Sequence, residues 1–286
     1  MEVFQNHSLA PHTTIKIGGP ADIFIIAHNT NEFIEALSKN NKIIILGNGS
    51  NVLISDSGIR GTVINNQANS IEYLPNNQIK VDSGVQLPLL ISNTIAHSFS
   101  GLEEFAYIPS SIGGAIYGNI HGVNKNNFDR FITEIEVFDL DTKTPKHLLS
   151  NQLTWSYDTS EFKSKPNLVI LSATLRLSPG DPDTSKQTIT DIINKKIKTQ
   201  SMNSLGSTFK NPEGDSAGRI IDQELHLRGF RIGDAQISPL HGNFILNLGH
   251  ATATDYFNLI KKIQSEAKSK LDIVLEPEIL FLGNFS

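Results

Sequence analysis

Along the N-terminal part of the chain, short β-branched apolar bursts alternate with one stretch of helical spacing. The run DIFIIA at 22–27 predicts a strand. Phe33, Ile34 and Leu37 then share one face of a helix whose N-cap is expected at Thr30. IIIL at 43–46 predicts a short buried strand, because a continuous β-branched run ends directly in glycine. Strand-like pieces at 52–55 and 62–65 complete a β-α-β beginning. Residues 71–74 and 78–81 bracket the turn PNN and predict a hairpin. Pro88 suits the first position of a helix reaching about residue 97, where its missing N–H is not needed.

Downstream, a glycine-rich segment, GLEEFAYIPSSIGGAIYGN, precedes strand patterns near 135–138 and at 168–177. SPGDPDTS reads as an interdomain loop, after which Ile189, Ile192, Ile193 and Ile197 recur at helical spacing. A final helix is expected over 254–271, with Leu259, Ile260, Ile263, Ala267 and Leu271 as its apolar stripe. The order is mixed α+β with no internal repeat. It divides into three units at residues 1–70, 71–200 and 201–286.

With 286 residues, 38% of them hydrophobic and 19% charged, the chain can bury a core, and wholesale disorder is not expected. The net charge of −5 and the lack of a basic stripe argue against a nucleic-acid partner. No cysteine is present, which removes disulfides, thiolate metal sites and a thiol nucleophile. The histidines are scattered, without HExxH, so no metal is expected. The first residues lack a signal-peptide pattern, and no apolar run approaches the roughly 20 residues that span a bilayer. The expectation is a cytoplasmic protein without membrane insertion.

Three glycine-rich segments carry the candidate chemistry: IGGPA at 17–21, LGNGSN at 46–51 and PSSIGGA at 109–115. Glycine lets main-chain N–H groups approach a phosphate unobstructed, and Ser50, Ser110 and Ser111 add hydroxyls. Each segment taken alone is also compatible with a plain turn. A nicotinamide Rossmann site is disfavoured, because Val52 replaces the third glycine and no helix pattern follows. In GSTFKNP, Ser207 is either a turn serine or a site hydroxyl. In LEPEILF, Glu276 and Glu278 are two apart and point the same way if extended, as buried partners or as site groups.

Taken together, NHSLAPHTTIKIGGPADIF, ILGNGSNVLISDSGIRGTVI, GLEEFAYIPSSIGGA, GSTFKNP, SAGRIIDQELHLRGFRIGDAQIS and LEPEILFLG resemble the UDP-N-acetylenolpyruvoylglucosamine reductase (MurB) family, nearly end to end and in family order. The resemblance is to its shorter type, which lacks a tyrosine-bearing insertion. It implies two α+β subdomains forming an FAD-binding domain of the PCMH/VAO type, residues 1–70 and 71–200. A C-terminal α+β domain, 201–286, would bind a UDP-sugar. The family's flavin loops fall on Gly47, Asn48, Gly49, Ser50, Asn51, Pro109, Ser110, Ser111, Gly113 and Gly114, with Asn119 nearby. Its proton-donating serine is Ser207 and its glutamate is Glu278; Lys198, Asn211 and Arg228 match substrate-binding positions. The implied chemistry is hydride transfer from NADPH through FAD to an enolpyruvyl ether on a UDP-sugar, in peptidoglycan precursor synthesis. A monomer is expected.

The chain departs from that pattern in three places. Asp158 stands where the family's YRxSxFK segment carries an arginine that stabilises the developing enolate. The stretch after PSSIGGA reads IYGNIHGVN, and KTQSMNSL before GSTFKNP is shortened and lacks prolines. Two rival readings remain open: another substrate on the same flavin fold, or a flavin-binding protein without turnover.

Overall fold

The computed structural model describes residues 1–198 and 203–285. The fold is α+β, with two compact units: Met1–Val3, Ile25–Asn48 and Thr62–Lys195 form the first, and Phe4–Phe24, Gly49–Gly61 and Lys196–Ser286 the second. The expected junction at residues 200 and 201, like half of the shortened segment before GSTFKNP, lies outside the described residues.

The first unit is organised by an antiparallel five-stranded sheet in the order Thr144–Leu149, Ile132–Asp139, Leu168–Arg176, Gln78–Asp82, Ile71–Leu74. Its middle strand, Leu168–Arg176, is buried over five successive residues, Val169–Ala173 with Ser172 among them, which is why it opens on the run LVIL rather than on an alternation. The expected hairpin is present. Asn76 and Asn77 take left-handed φ of 61° and 58°, a conformation asparagine tolerates better than most residues. Val81, Leu90, Phe105, Ile116, Phe128, Val137 and Leu175 belong to one core. The helix around Pro88 spans Leu87–Ala96.

Three details differ from the sequence reading. The N-cap of Thr30–Lys39 is Asn29, whose Oδ1 accepts from the Glu32 N–H at 3.0 Å. Ile43–Leu46 is the outermost strand of its sheet and buries only Leu46 fully, so its apolar run marks an edge rather than a covered strand. Of the four isoleucines on Pro182–Ile197, only Ile192 is buried, while Ile193 and Ile197 are exposed.

In the second unit, Ala253–Leu271 buries Leu259, Ile260, Ile263 and Ala267 as expected, with Leu271 partly covered. Thr252 and Asp255 form a reciprocal capping box at its start. Asp56 adds bonds from the Ala253 and Thr254 N–H groups at 2.8 and 2.9 Å. Against this helix lie strands of only two or three residues: Arg231–Ile232, Ala235–Ile237 and Ile245–Asn247 form one small sheet. Val52–Ile54 pairs in parallel with Leu280–Leu282.

Candidate active site

In the first unit, the strand Ile43–Leu46 runs directly into Gly47. Asn65 holds the Leu46 and Gly47 carbonyls through its Nδ2, at 2.9 and 3.0 Å. A Cβ on Gly47 would lie 2.6 Å from the Ser111 Oγ, so a side chain there would have to displace that hydroxyl. Asn48 accepts from Gln86 Nε2 at 2.5 Å and donates to the Pro109 carbonyl at 3.2 Å. Two of the glycine segments are thereby brought together. PSSIGGA is a helix start rather than an open loop: Ser111 caps Ile112–Gly118 by accepting from Gly114 N–H at 3.2 Å. Gly113 N–H donates to the Ser83 carbonyl at 2.7 Å. These two amides are occupied within the chain, and the Ser110 hydroxyl donates to the Ser111 carbonyl at 2.9 Å.

Asn119 is fully buried. Its Nδ2 donates to the Ser156 carbonyl at 2.9 Å and its Oδ1 accepts from Asp129 N–H at 3.0 Å. With both ends of its amide engaged and φ at 46°, it closes the helix and shapes the following loop.

In the second unit, Gly49 is buried at φ 60°, and a Cβ there would come within 2.3 Å of the His12 carbonyl. Thr14 N–H binds the Gly49 carbonyl at 3.1 Å. Asn51 is bound at both its side chain and its backbone: Nδ2 donates to the Glu278 carbonyl at 3.2 Å, and its own carbonyl accepts from Leu280 N–H at 2.9 Å. The N–H groups of Gly49, Ser50 and Asn51 find no acceptor among the described residues. A glycine-containing loop with a succession of unspent main-chain donors is the donor set a diphosphate requires, and to this extent the residues fit the diphosphate of FAD.

Ser207 and Glu278 are both half-buried. Glu278 N–H donates to the Thr208 carbonyl at 2.9 Å, Phe209 pairs with Pro277, and Lys210 N–H binds the Glu276 carbonyl at 2.9 Å. The EPE segment therefore runs antiparallel to residues 208–210, with Thr208, the neighbour of Ser207, opposite Glu278. Lys210 and Glu276 form an ion pair at 2.5 Å. One hydrogen-bonded patch thus contains Asn51, Glu278 and the residue after Ser207. Asn243, which the sequence reading did not single out, bonds the other edge of Thr208 and Phe209. The available signal was an asparagine inside the apolar stretch GNFILN, where an unsatisfied amide would be costly.

The remaining candidates are exposed. Asn211 uses its Oδ1 to accept from Ala217 N–H at 3.0 Å. Arg228 is ion-paired with Asp222, and Lys198 follows the helix Pro182–Ile197. Near Arg228, His241 is held below its ordinary pKa by burial, with the charges of Lys196 and Arg228 acting in the same direction.

Asp158, in the first unit, is buried at φ 50° in a two-residue hairpin turn. Its Oδ1 lies 2.7 Å from His121 Nδ1, and its carbonyl accepts from Lys163 Nζ at 2.6 Å. His121 belongs to the altered IYGNIHGVN stretch, so two of the sequence departures are in direct contact.

Comparison with known proteins agrees along the whole chain. Residues 21–144 match an FAD-binding domain family, and residues 197–282 match the C-terminal domain of UDP-N-acetylenolpyruvoylglucosamine reductase. The reductase of that name from Clostridium botulinum (strain Eklund 17B / Type B) is 36% identical over 285 residues, covering 98% of this chain and 92% of the relative. The one from Bacillus subtilis (strain 168) is 34% identical over 290 residues, covering 99% and 94%. A crystal structure of UDP-N-acetylenolpyruvylglucosamine reductase from Thermus caldophilus superposes with a TM-score of 0.84 at 30% identity, covering 99% of this chain and 98% of that one. The chain belongs to the UDP-N-acetylenolpyruvoylglucosamine reductase family.

Proposed function

We propose that the chain is an FAD-dependent reductase that converts UDP-N-acetylglucosamine enolpyruvate to UDP-N-acetylmuramate at the expense of NADPH, a step of peptidoglycan precursor synthesis. The observation that supports this best is the second unit's hydrogen-bonded patch: Asn51 holds the Glu278 carbonyl, and Glu278 N–H holds the carbonyl of Thr208, beside Ser207. Three motifs far apart in sequence meet there in the combination this chemistry requires.

Bound FAD supplies hydride relay from NADPH to the enolpyruvyl double bond. Gly47, Asn48, Gly49, Ser50 and Asn51 offer the diphosphate their main-chain donors, with Pro109, Ser110, Ser111, Gly113 and Gly114 forming the wall that Gly47 and Asn48 pack against. Asn119 shapes the loop beside them. Hydride addition leaves the neighbouring carbon in need of a proton. Ser207 delivers it, with Glu278 assisting charge and proton handling. A positioned acid of this kind is worth about 10²–10⁴ in rate. Lys198, Asn211 and Arg228 hold the UDP-sugar, with charge-assisted bonds to its phosphates where the cation is free to turn.

In this reading residues 1–70 and 71–200 serve the flavin, and 201–286 serve the substrate. No helix among the described residues is long and apolar enough to cross a membrane. We place the protein in the cytoplasm as a monomer, without a nucleic-acid partner.

The test is an anaerobic half-reaction: protein whose flavin has been reduced beforehand is mixed with the enolpyruvyl substrate and followed at the flavin absorbance. Reoxidation is expected. A flavin-loaded protein that stays bleached after the substrate is added would leave only flavin binding, and one that never turns yellow on incubation with oxidised FAD would end the proposal.

A further inference from the structure

We infer that Asn243 is a positioning residue for Ser207, an inference that rests on the role given to Ser207 above. The residue before Ser207 gives it little support: Gly206 has φ 79°, no atom of the described residues lies within 4 Å of where its Cβ would be, and its N–H makes only a long bond, 3.4 Å, to Ser204 Oγ. Its placement comes from the residues after it, and there the backbone is fully committed. Thr208 N–H donates to the Asn243 carbonyl at 2.8 Å. Phe209 N–H donates to Asn243 Oδ1 at 2.9 Å, and Asn243 Nδ2 donates back to the Phe209 carbonyl at 2.8 Å. On the opposite edge, Glu278 N–H takes the Thr208 carbonyl. The four backbone polar groups of Thr208 and Phe209 are thus divided between Asn243 and Glu278.

A primary amide suits this work because it presents one donor and one acceptor in a plane, matching the N–H and C=O of a single residue. Aspartate lacks the donor, and glutamine is longer by a methylene. Asn243 is itself immobilised: it is 3% exposed, and its N–H donates to His241 Nδ1 at 3.2 Å. Gly242 beside it has no room for a Cβ, which would fall 2.5 Å from the Gly218 carbonyl. The chain from Gly242 through Asn243 to Thr208 is rigid up to the residue that precedes the clamp, and a misplacement of about 1 Å there is enough to cost on the order of 10² in rate.

The test is Asn243→Asp in the flavin-loaded protein, measured across pH. When ionised, the new carboxylate turns an oxygen toward the Phe209 carbonyl. When protonated, its O–H restores the missing donor. Substrate-driven flavin reoxidation should fall on the order of 10²-fold at pH 8 and recover, relative to the unaltered protein, as the pH is lowered. Flavin reduction by NADPH should keep its rate. If Asn243→Asp does not fold, Asn243→Ser, whose hydroxyl reaches only one of the two Phe209 groups, should show the same split between half-reactions. Reoxidation within threefold of the unaltered protein at every pH, or equal losses in both half-reactions, overturns the inference. An unaltered protein that never reoxidises with the enolpyruvyl substrate sinks the functional reading instead, and the inference with it.

Discussion

The two units solve the same accounting problem in different ways. In the first, strands of up to nine residues satisfy their backbone groups against one another: Ile132–Asp139 is paired along both edges, by Thr144–Leu149 and by Leu168–Arg176. Over residues 203–285 of the second, strands of two or three residues leave most backbone groups beyond the reach of a ladder, and polar side chains, most of them buried, complete the pairing. Asn247 donates to the Ile15 carbonyl and accepts from Gly249 and Ala251 N–H groups. Thr13 bonds the Ile17 carbonyl and N–H, Asp56 caps Ala253–Leu271, and Asn243 spans Phe209. Long ladders make a scaffold that tolerates sequence change wherever the alternation is kept. Side-chain clamps fix single peptide units, and this is the construction found around Ser207 and Glu278.

The largest expected effect tests whether the clamped region is indeed the chemical one. Ser207→Ala should lower turnover by about 10²–10⁴, roughly 3–5 kcal/mol in the barrier, while the flavin colour persists. Steady-state rates and the absorbance spectrum check it. Near-normal turnover would leave the second unit's clamps as structure alone.

The next effect belongs to the ladder-built unit. Phe105 is fully buried and meets Phe128 and Phe131 edge-on at centroid distances of 5.4 and 6.1 Å. Phe105→Ala should cost about 3–4 kcal/mol of stability through lost burial and the cavity left behind. Asp56→Ala, in the clamp-built unit, removes acceptors from two helix-start amides and from the Thr254 hydroxyl at 2.7 Å. Its expected cost is about 1–2 kcal/mol. Urea unfolding of both variants checks the order. A larger loss from Asp56→Ala would mean that clamps, not cores, dominate stability.

Legibility in the sequence follows the same division. The hairpin at 71–82, the central strand and the helix Ala253–Leu271 are readable because periodicity reports burial. The edge position of Ile43–Leu46 is not, since three isoleucines in a row look alike whether one face or two are covered. The motif residues were recognisable by resemblance, yet Asn243 and Asn51 act through isolated side-chain-to-backbone bonds, two from Asn243 and one from Asn51, which leave no period behind. The occupied amides of Gly113 and Gly114 were equally hidden. Glycine content reports a close backbone approach but not what approaches.

The smallest expected effect separates the units by pH. In the first, Lys146 beside Asp139, with the N–H groups of Asp141 and Thr142, holds that carboxyl at about 2. Its folded value lies below the unfolded one, so the unfolded chain binds more protons in acid. The stability it contributes is complete above about pH 4 and is lost as the pH falls toward 2. In the second, burial and nearby positive charge lower the pKa of His241, and burial with His7 and Lys16 does the same for His12. Both favour the neutral ring in the folded state. Their contribution is present above the ordinary histidine value of 6.5 and is lost as the pH falls below it. Neutral His241 accepts from Asn243 N–H through Nδ1; protonation makes that atom a donor facing a donor. His241→Gln should therefore flatten the fall in melting temperature between pH 7 and 5.5, leaving the His12 share, while Asp139→Asn should flatten only the limb below pH 4. If His241→Gln instead leaves the mild-acid slope unchanged, the ring's neutrality contributes nothing to holding Asn243 in place.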